Sequence, residues 1–256
     1  MTAAACDLVI DVGNHRAKLA LFDQHGIVRH AVVEVKDDRA MLSFIASINV
    51  RRVAIGSVAD GAMEAWWSLG SIAPVTLLTG TSAAPIQNAY GSPLTLGVDR
   101  LANAVAASAM FPGRPTMAID LGTCITYDLV DDRATYLGGA ISPGMHLRAR
   151  AMHEHSARLP MVDPASRSEE GSMVGTNTGS AMLSGIYRGI QHELDGWITG
   201  MRYQYPSLAV VLTGGDALRF VRGSKSGIFA DPLLTLRGLH ALLDHQSHPA
   251  DPVRGN

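Results

Sequence analysis

Apolar and polar positions alternate along the chain in two similar series. A short apolar run at 8–12 ends in Gly13-Asn14 and a second follows at 18–23, which predicts two strands joined by a tight turn. A weaker run at 31–35 predicts a third strand, the spacing over 38–48 predicts a helix, and 53–58 and 75–79 read as buried strands. Ser, Pro, Gly and Asn crowd residues 80–97, a predicted loop, and 99–111 forms a predicted helix stopped by Pro112-Gly113.

The series then restarts. An apolar run at 117–120 leads into Leu121-Gly122-Thr123, and a strand resumes at 125–130. IDVGN at 10–14 and IDLGT at 119–123 share the order Ile-Asp-x-Gly-polar, and each opens its series. Such a repeat predicts two like α/β halves, residues 1–114 and 115–256. Later residues predict a Gly-rich turn at 138–144, helices at 145–155, 178–203 and 233–245, a polar loop at 160–171 and a strand at 209–213. The tail after 245 reads as frayed.

Composition narrows the class. With 47% hydrophobic and 17% charged residues over 256 positions, the chain has the balance of a globular protein with real cores. A net charge of −2 supplies no basic field for nucleic acid or an anionic membrane. Cys6 and Cys124 stand far apart without CxxC spacing, which argues against a disulfide framework or zinc knuckle and for a reducing compartment. Asp7 and Asp11 interrupt the N-terminal apolar run, unlike a signal peptide, and no stretch reaches the roughly 18 apolar residues that span a bilayer. The expectation is a cytoplasmic protein with neither nucleic-acid nor membrane partners.

The chemistry concentrates in the bends. Asp11 at a strand end is suited to holding Mg²⁺ through its water shell, Gly13 admits a phosphate close to the backbone, and Asn14 and Lys18 are placed to contact phosphate oxygens. The same octapeptide also reads as an ordinary hairpin turn. Asp120-Leu121-Gly122-Thr123 repeats the pattern with a hydroxyl, and two such turns gripping one polyphosphate would give the positioning that phosphoryl transfer needs. Neither bend is a Walker loop or a GxGxxG fingerprint. Thr213-Gly214-Gly215-Asp216 borders an adenosine or is a plain strand-to-helix turn. Asp99 either caps the following helix or acts as the base for a substrate hydroxyl.

Taken in order, these segments resemble the type III pantothenate kinases of the acetate and sugar kinase, actin-like superfamily. The matching elements are D-x-G-N…K at 11–18, N-x-Y-x-x-P at 88–93, L-G-x-D-R at 96–100 and D-x-G-T-x-x-T-x-D at 120–128. G-G-x-I-x-P-G at 138–144, L-P at 159–160, G-x-N-T-x-x-A at 175–181 and T-G-G-D-A at 213–217 continue the series. The resemblance implies two ribonuclease H-like halves facing a central nucleotide cleft, and ATP-dependent phosphorylation of pantothenate, the first step toward coenzyme A. It implies ATP contacts at Asp11, Gly13, Asn14, Lys18 and Thr123, and pantothenate contacts at Tyr90, Gly97, Val98, Asp99, Arg100 and Thr178. Asp99 becomes the proton acceptor and Asp120 the ligand of a monovalent cation, K⁺ or NH₄⁺, beside Mg²⁺. A homodimer is implied, with Thr178 acting across the interface.

Two positions depart from the family pattern: His15 replaces a usual Thr, and Cys124 a usual Ala. His15 motivates an alternative, a catalytically weakened regulatory homologue; another actin-like small-molecule kinase is a further one. Elsewhere, His153 and His155 point in different directions on a helix and Ser142 lacks a GxSxG context. Trp66, Trp67, Met145, Met152 and Met161 read as packing residues.

Overall fold

The computed structural model describes residues 5–14, 16–35, 37–57, 64–166, 172–221 and 227–247. His15, the end of the predicted 53–58 strand, part of the 160–171 loop, the Trp67 side chain and the tail from 248 lie outside them. By contact the chain forms two units, Met1–Met110 with Leu233–Asn256, and Phe111–Pro232.

The first unit contains β1 (Cys6–Val12), β2 (Arg16–Asp23), β3 (Gly26–Glu34), α1 (Asp38–Ile45), β4 (Val50–Ser57), β5 (Val75–Leu78), the two-residue β6 (Gln87–Asn88) and α2 (Val98–Met110). The second contains β7 (Thr116–Leu121), β8 (Cys124–Val130), β9 (Thr135–Pro143), α3 (Met145–Glu154), α4 (Thr178–Gln204), β10 (Ala209–Thr213), α5 (Ala217–Val221) and β11 (Ile228–Ala230). A last helix, α6 (Leu234–Ser247), returns to the first unit.

The predicted duplication is present in the strand order. β3-β2-β1-β4-β5 in the first unit matches β9-β8-β7-β10-β11 in the second. In each, the first three strands in sequence are antiparallel neighbours and the last two add in parallel. Period-two alternation explains the packing: Leu8, Ile10 and Val12 of β1 enter one core, and Met117, Ile119 and Leu121 of β7 enter the other. Trp66 lies buried in the first core, and Met145 in the second; Met161, read from sequence as a packing residue, is exposed.

Two sequence readings change. Residues 138–144 do not form a Gly-rich turn; most of the segment is the end of β9. Gly139 pairs with Asp128, and a Cβ there would lie 1.7 Å from the Tyr127 carbonyl, so glycine permits close strand approach rather than a reversal. The predicted boundary at 114/115 gives way to one at 110/111, and the closing helix belongs with the first unit. The cause is packing: a Cβ at Gly238 would come within 1.9 Å of the Ala102 carbonyl, so α6 lies directly against α2. Thr235 Oγ1 also donates to Asn103 Oδ1 at 2.9 Å. Among the described residues, no helix is long and apolar enough to cross a membrane.

Asp7 secures the other end of α6. Its carboxylate, fully buried on β1, accepts hydrogen bonds from Arg51 Nη2 at 2.7 Å and Nε at 2.9 Å, and from Arg52 and His240. Arg52 continues to Asp244 at 2.6 Å, while the His240 ring stacks on Phe22 at 4.1 Å. Burial alone would push the Asp7 carboxyl up; the bonds from Arg51, Arg52 and His240 outweigh it and hold the group well below the usual carboxylate range. Because the folded state holds the proton less tightly, this group contributes stability above the unfolded pKa of about 3.9 and loses it as pH falls further. Asp7→Ala is therefore expected to cost about 3–5 kcal/mol at pH 7, since it strands two arginines. Urea unfolding should show that gap narrowing from about pH 4 downward; an equal gap at pH 7 and pH 3 would contradict the ion-pair account.

Candidate active site

The first bend is closed by Gly13 N–H donating to the Arg16 carbonyl at 3.0 Å, and a Cβ on Gly13 would sit 3.0 Å from that same oxygen. Across β1 and β2, Asp11 is the register partner of Lys18, whose Nζ lies 3.9 Å from Asp11 Oδ2. Asn14 is exposed beside them. The bend thus presents a carboxylate, an ammonium and a backbone turn on one short stretch, a donor set that suits a metal–phosphate complex.

On the other side of β1, Asp11 is in register with Gly56 of β4. A Cβ on Gly56 would meet Leu239 at 2.7 Å and Val98 at 3.4 Å, so the start of α2 lies on the sheet face that Asp11 shares. Here stands Asp99. The helix begins one residue earlier than predicted, which puts Asp99 in its first turn rather than at the cap. Its Oδ1 accepts from Arg100 N–H at 2.9 Å, a favourable place for negative charge beside the unpaired amides of a helix start. A Cβ on Gly97 would lie 2.4 Å from Asp99 Oδ1, so the missing side chain at 97 makes room for the carboxylate.

Arg100 is buried and stacks over Tyr90, its Cζ 5.4 Å from the ring centroid and its Nη1 3.4 Å from the hydroxyl. Tyr90 is itself placed by an Asx turn, its N–H donating to Asn88 Oδ1 at 3.0 Å. A cavity of about 480 Å³ opens alongside, lined by Thr79, Gly80, Thr81 and 94–98, including Gly97 and Val98. Gly80 allows its loop to press on Leu96, where a Cβ would meet the carbonyl at 2.0 Å. The structure therefore brings Tyr90, Gly97, Val98, Asp99 and Arg100 together. Sequence reading missed the Thr79-Gly80-Thr81 wall, because nothing in a polar loop announces which backbone it will touch.

The second unit gathers three bends around Asp120. Gly122 N–H donates to the Cys124 carbonyl, Gly144 N–H to the Thr123 carbonyl, and Asp216 N–H to the Leu121 carbonyl, at 3.1, 3.0 and 3.0 Å. Gly214, at φ +93°, lies so close that a Cβ would stand 2.3 Å from Asp120 Oδ1. The Thr213–Asp216 turn therefore packs against the second Asp-Gly bend. Burial raises the Asp216 carboxyl above its ordinary value, against the lowering pull of His146 and Arg219. Thr178 is exposed at the start of α4, behind an Asn177–Ser180 capping box.

Several side chains have structural partners instead. Ser142, Tyr127 and Arg148 all donate to Glu193, whose carboxyl burial would raise and these bonds hold down. His153 Nδ1 lies 2.8 Å from the Leu159 carbonyl. Among the described residues, the grouping with metal-ligand reach is Asp7, His240 and Asp244, already occupied by arginines.

Comparison with known proteins follows the same lines. The family model for type III pantothenate kinase matches residues 7–200. A type III pantothenate kinase of Bacteroides fragilis YCH46 is 39% identical over 94% of this chain and 98% of its own length. One from Flavobacterium psychrophilum is 34% identical over 93% and 99%. Among solved structures, a Campylobacter jejuni chain described as a Baf family transcriptional activator aligns with TM-score 0.62 at 19% identity, over 94% of this chain and 99% of that one. A ROK family glucokinase from Streptomyces griseus aligns with TM-score 0.53 at 11% identity, over 92% and 98%. These last two share the fold alone.

The geometry of the second unit gives one direct check. A Cβ at Gly144 would lie 2.2 Å from the Gly122 carbonyl, whereas one at Gly215 meets nothing within 4 Å. Gly144→Ala should lower stability by about 1–3 kcal/mol through overpacking. Gly215→Ala should melt close to wild type, and equal melting temperatures for the two variants would refute this account of the bend.

Proposed function

The chain belongs to the type III pantothenate kinase family, and on that premise we propose that it transfers the γ-phosphoryl group of ATP to the primary hydroxyl of pantothenate. The products are 4′-phosphopantothenate and ADP, the first step toward coenzyme A. The observation that carries the reading is Asp99: a carboxylate fitted against Gly97, which with Val98 lines a polar cavity, and followed by an arginine stacked on Tyr90.

In this reading Asp99 accepts the hydroxyl proton as the new P–O bond forms. Arg100 and Tyr90 orient the acceptor, Gly97 and Val98 line it, and Thr178 reaches it across a homodimer interface. Asp11, Gly13, Asn14, Lys18 and Thr123 hold the triphosphate. Mg²⁺ at Asp11, through water, and K⁺ or NH₄⁺ at Asp120 supply charge neutralisation when bound. The oxygen-only side chains at both positions suit hard cations. A cytoplasmic setting accords with Cys6 and Cys124, both free thiols.

Purified protein should release ADP in a pantothenate-dependent manner with Mg²⁺ and either monovalent cation; folded protein silent under both conditions would defeat the proposal. Preference for a sugar or acetate in a substrate panel would point to another kinase of this fold. Asp99→Asn is expected to lower kcat by about 10²–10⁴ with ATP binding intact by calorimetry. Gly97→Ala, which displaces the carboxylate, should cost about 10². A near-wild-type rate in Asp99→Asn would remove that residue from the base role. His15→Thr tests the weakened-homologue alternative: robust, unchanged activity leaves it without basis.

A further inference from the structure

A largely buried carboxylate of the second unit has no role in the proposed phosphoryl transfer. Glu193 sits midway along α4, and its two oxygens meet three other elements. Tyr127 of β8 and Ser142 of β9 donate to Oε1, the tyrosine at 2.8 Å, and Arg148 of α3 donates to Oε2 through Nη2. Tyr127 is buried and stacks on Trp197, one turn further along α4, with ring centroids 5.0 Å apart, so its hydroxyl has a set direction. Burial would raise the Glu193 carboxyl, and these three bonds outweigh it, so the group is anionic at neutral pH and can only accept.

Stability alone gives little reason for an ion pair here. Apolar side chains of similar volume in place of a buried ion pair often leave a fold as stable or more so. What the pair supplies is direction, and the bonds beyond it lead to the second Asp-Gly bend. Arg148 Nε donates to the Pro143 carbonyl at 2.7 Å, and Arg148 N–H donates to the Gly144 carbonyl at 2.9 Å. Ser142, Pro143 and Gly144 are thus fastened at three consecutive residues, the first by Glu193 and the other two by Arg148. Gly144 N–H in turn donates to the Thr123 carbonyl at 3.0 Å. A Cβ on Gly144 would lie 2.2 Å from the Gly122 carbonyl oxygen and 2.7 Å from that of Thr123. The corner is therefore pressed against the bend, and in a close-packed interior a displacement of one moves the other.

We propose that Glu193 is a positioning residue for ATP: through Arg148 and Ser142 it holds the Ser142-Pro143-Gly144 corner against Gly122-Thr123, and so sets where Thr123 meets the triphosphate. Its effect is exerted through Thr123 and not on the reacting atoms. The inference rests on reading Thr123 as an ATP contact and goes beyond it by naming what fixes that contact.

The test is calorimetric binding of MgATP to the full chain without pantothenate, joined to KM values for both substrates and to thermal melting. Glu193→Gln keeps size and an acceptor oxygen but loses the ion pair, and should raise the ATP Kd and KM about tenfold. The pantothenate KM should stay at wild type, because Tyr90, Asp99 and Arg100 belong to the first unit. Arg148→Lys keeps the charge but lacks the fork that reaches both Glu193 and the Pro143 carbonyl, and should act like Glu193→Gln. Thr123→Ala should also weaken ATP binding, and adding Glu193→Gln to it should weaken it no further. His192→Ala, at the exposed neighbouring position, should leave both substrates unaffected. A purely structural role predicts a lower melting temperature with an unchanged ATP Kd, or effects that multiply in the double variant; either result overturns the proposal. Should Glu193→Gln fail to fold, Arg148→Lys carries the same cycle with Thr123→Ala. Wild type that binds no ATP sinks the kinase reading together with the proposal, whereas wild-type binding with equal affinity in Glu193→Gln sinks the proposal alone.

Discussion

A carboxylate on a strand whose neighbours face the core can project only to the other side, and that alternation is what the rest of the molecule depends on. In β7, Ile119 and Leu121 are fixed inward by burial, so Asp120 has one direction available. The same constraint acts on Asp11 between Ile10 and Val12 of β1. A one-residue slip of either strand would bury the acid among apolar side chains and turn the core outward. The glycines that follow are consequences of the carboxylates' position, because the backbone must bend sharply while leaving room beside them.

Room is the recurrent theme. Gly97 leaves it for Asp99, Gly214 for Asp120, and Gly144 for the carbonyls of the 121–124 bend. Each acid is thus set by a rigid strand or helix end on one side and by an absent Cβ on the other. Positions fixed in this way need no reorganisation when a ligand arrives, which is where electrostatic stabilisation of a transferring group has its largest effect.

Much of this was legible in the chain. Ile-Asp-x-Gly-polar at the head of each half announced the duplication, and the strand order repeats faithfully in both units. Tyr90 and Arg100 were named from two short motifs and meet in space, and Asp99 fits against the Gly97 of its own motif. What stayed hidden depended on distant partners. Asp7 looks like any N-terminal acid until Arg51, Arg52 and His240 converge on it, and that convergence draws α6 away from the half in which its sequence lies. The Gly138-Gly139 pair reads as a turn because local rules associate glycine with reversal; only the Tyr127 backbone opposite shows that the demand is for close approach.

The two halves differ in the residue that stands across the sheet from the equivalent carboxylate, while the strand order around it is the same. In the first bend a lysine on the register partner brings its ammonium to 3.9 Å from the Asp11 carboxylate. Asp120 has threonines at both register positions, so its two neighbours in the sheet are neutral hydroxyls. The same strand pair thus sets a lysine beside the carboxylate in one half and a threonine in the other, with no change of fold.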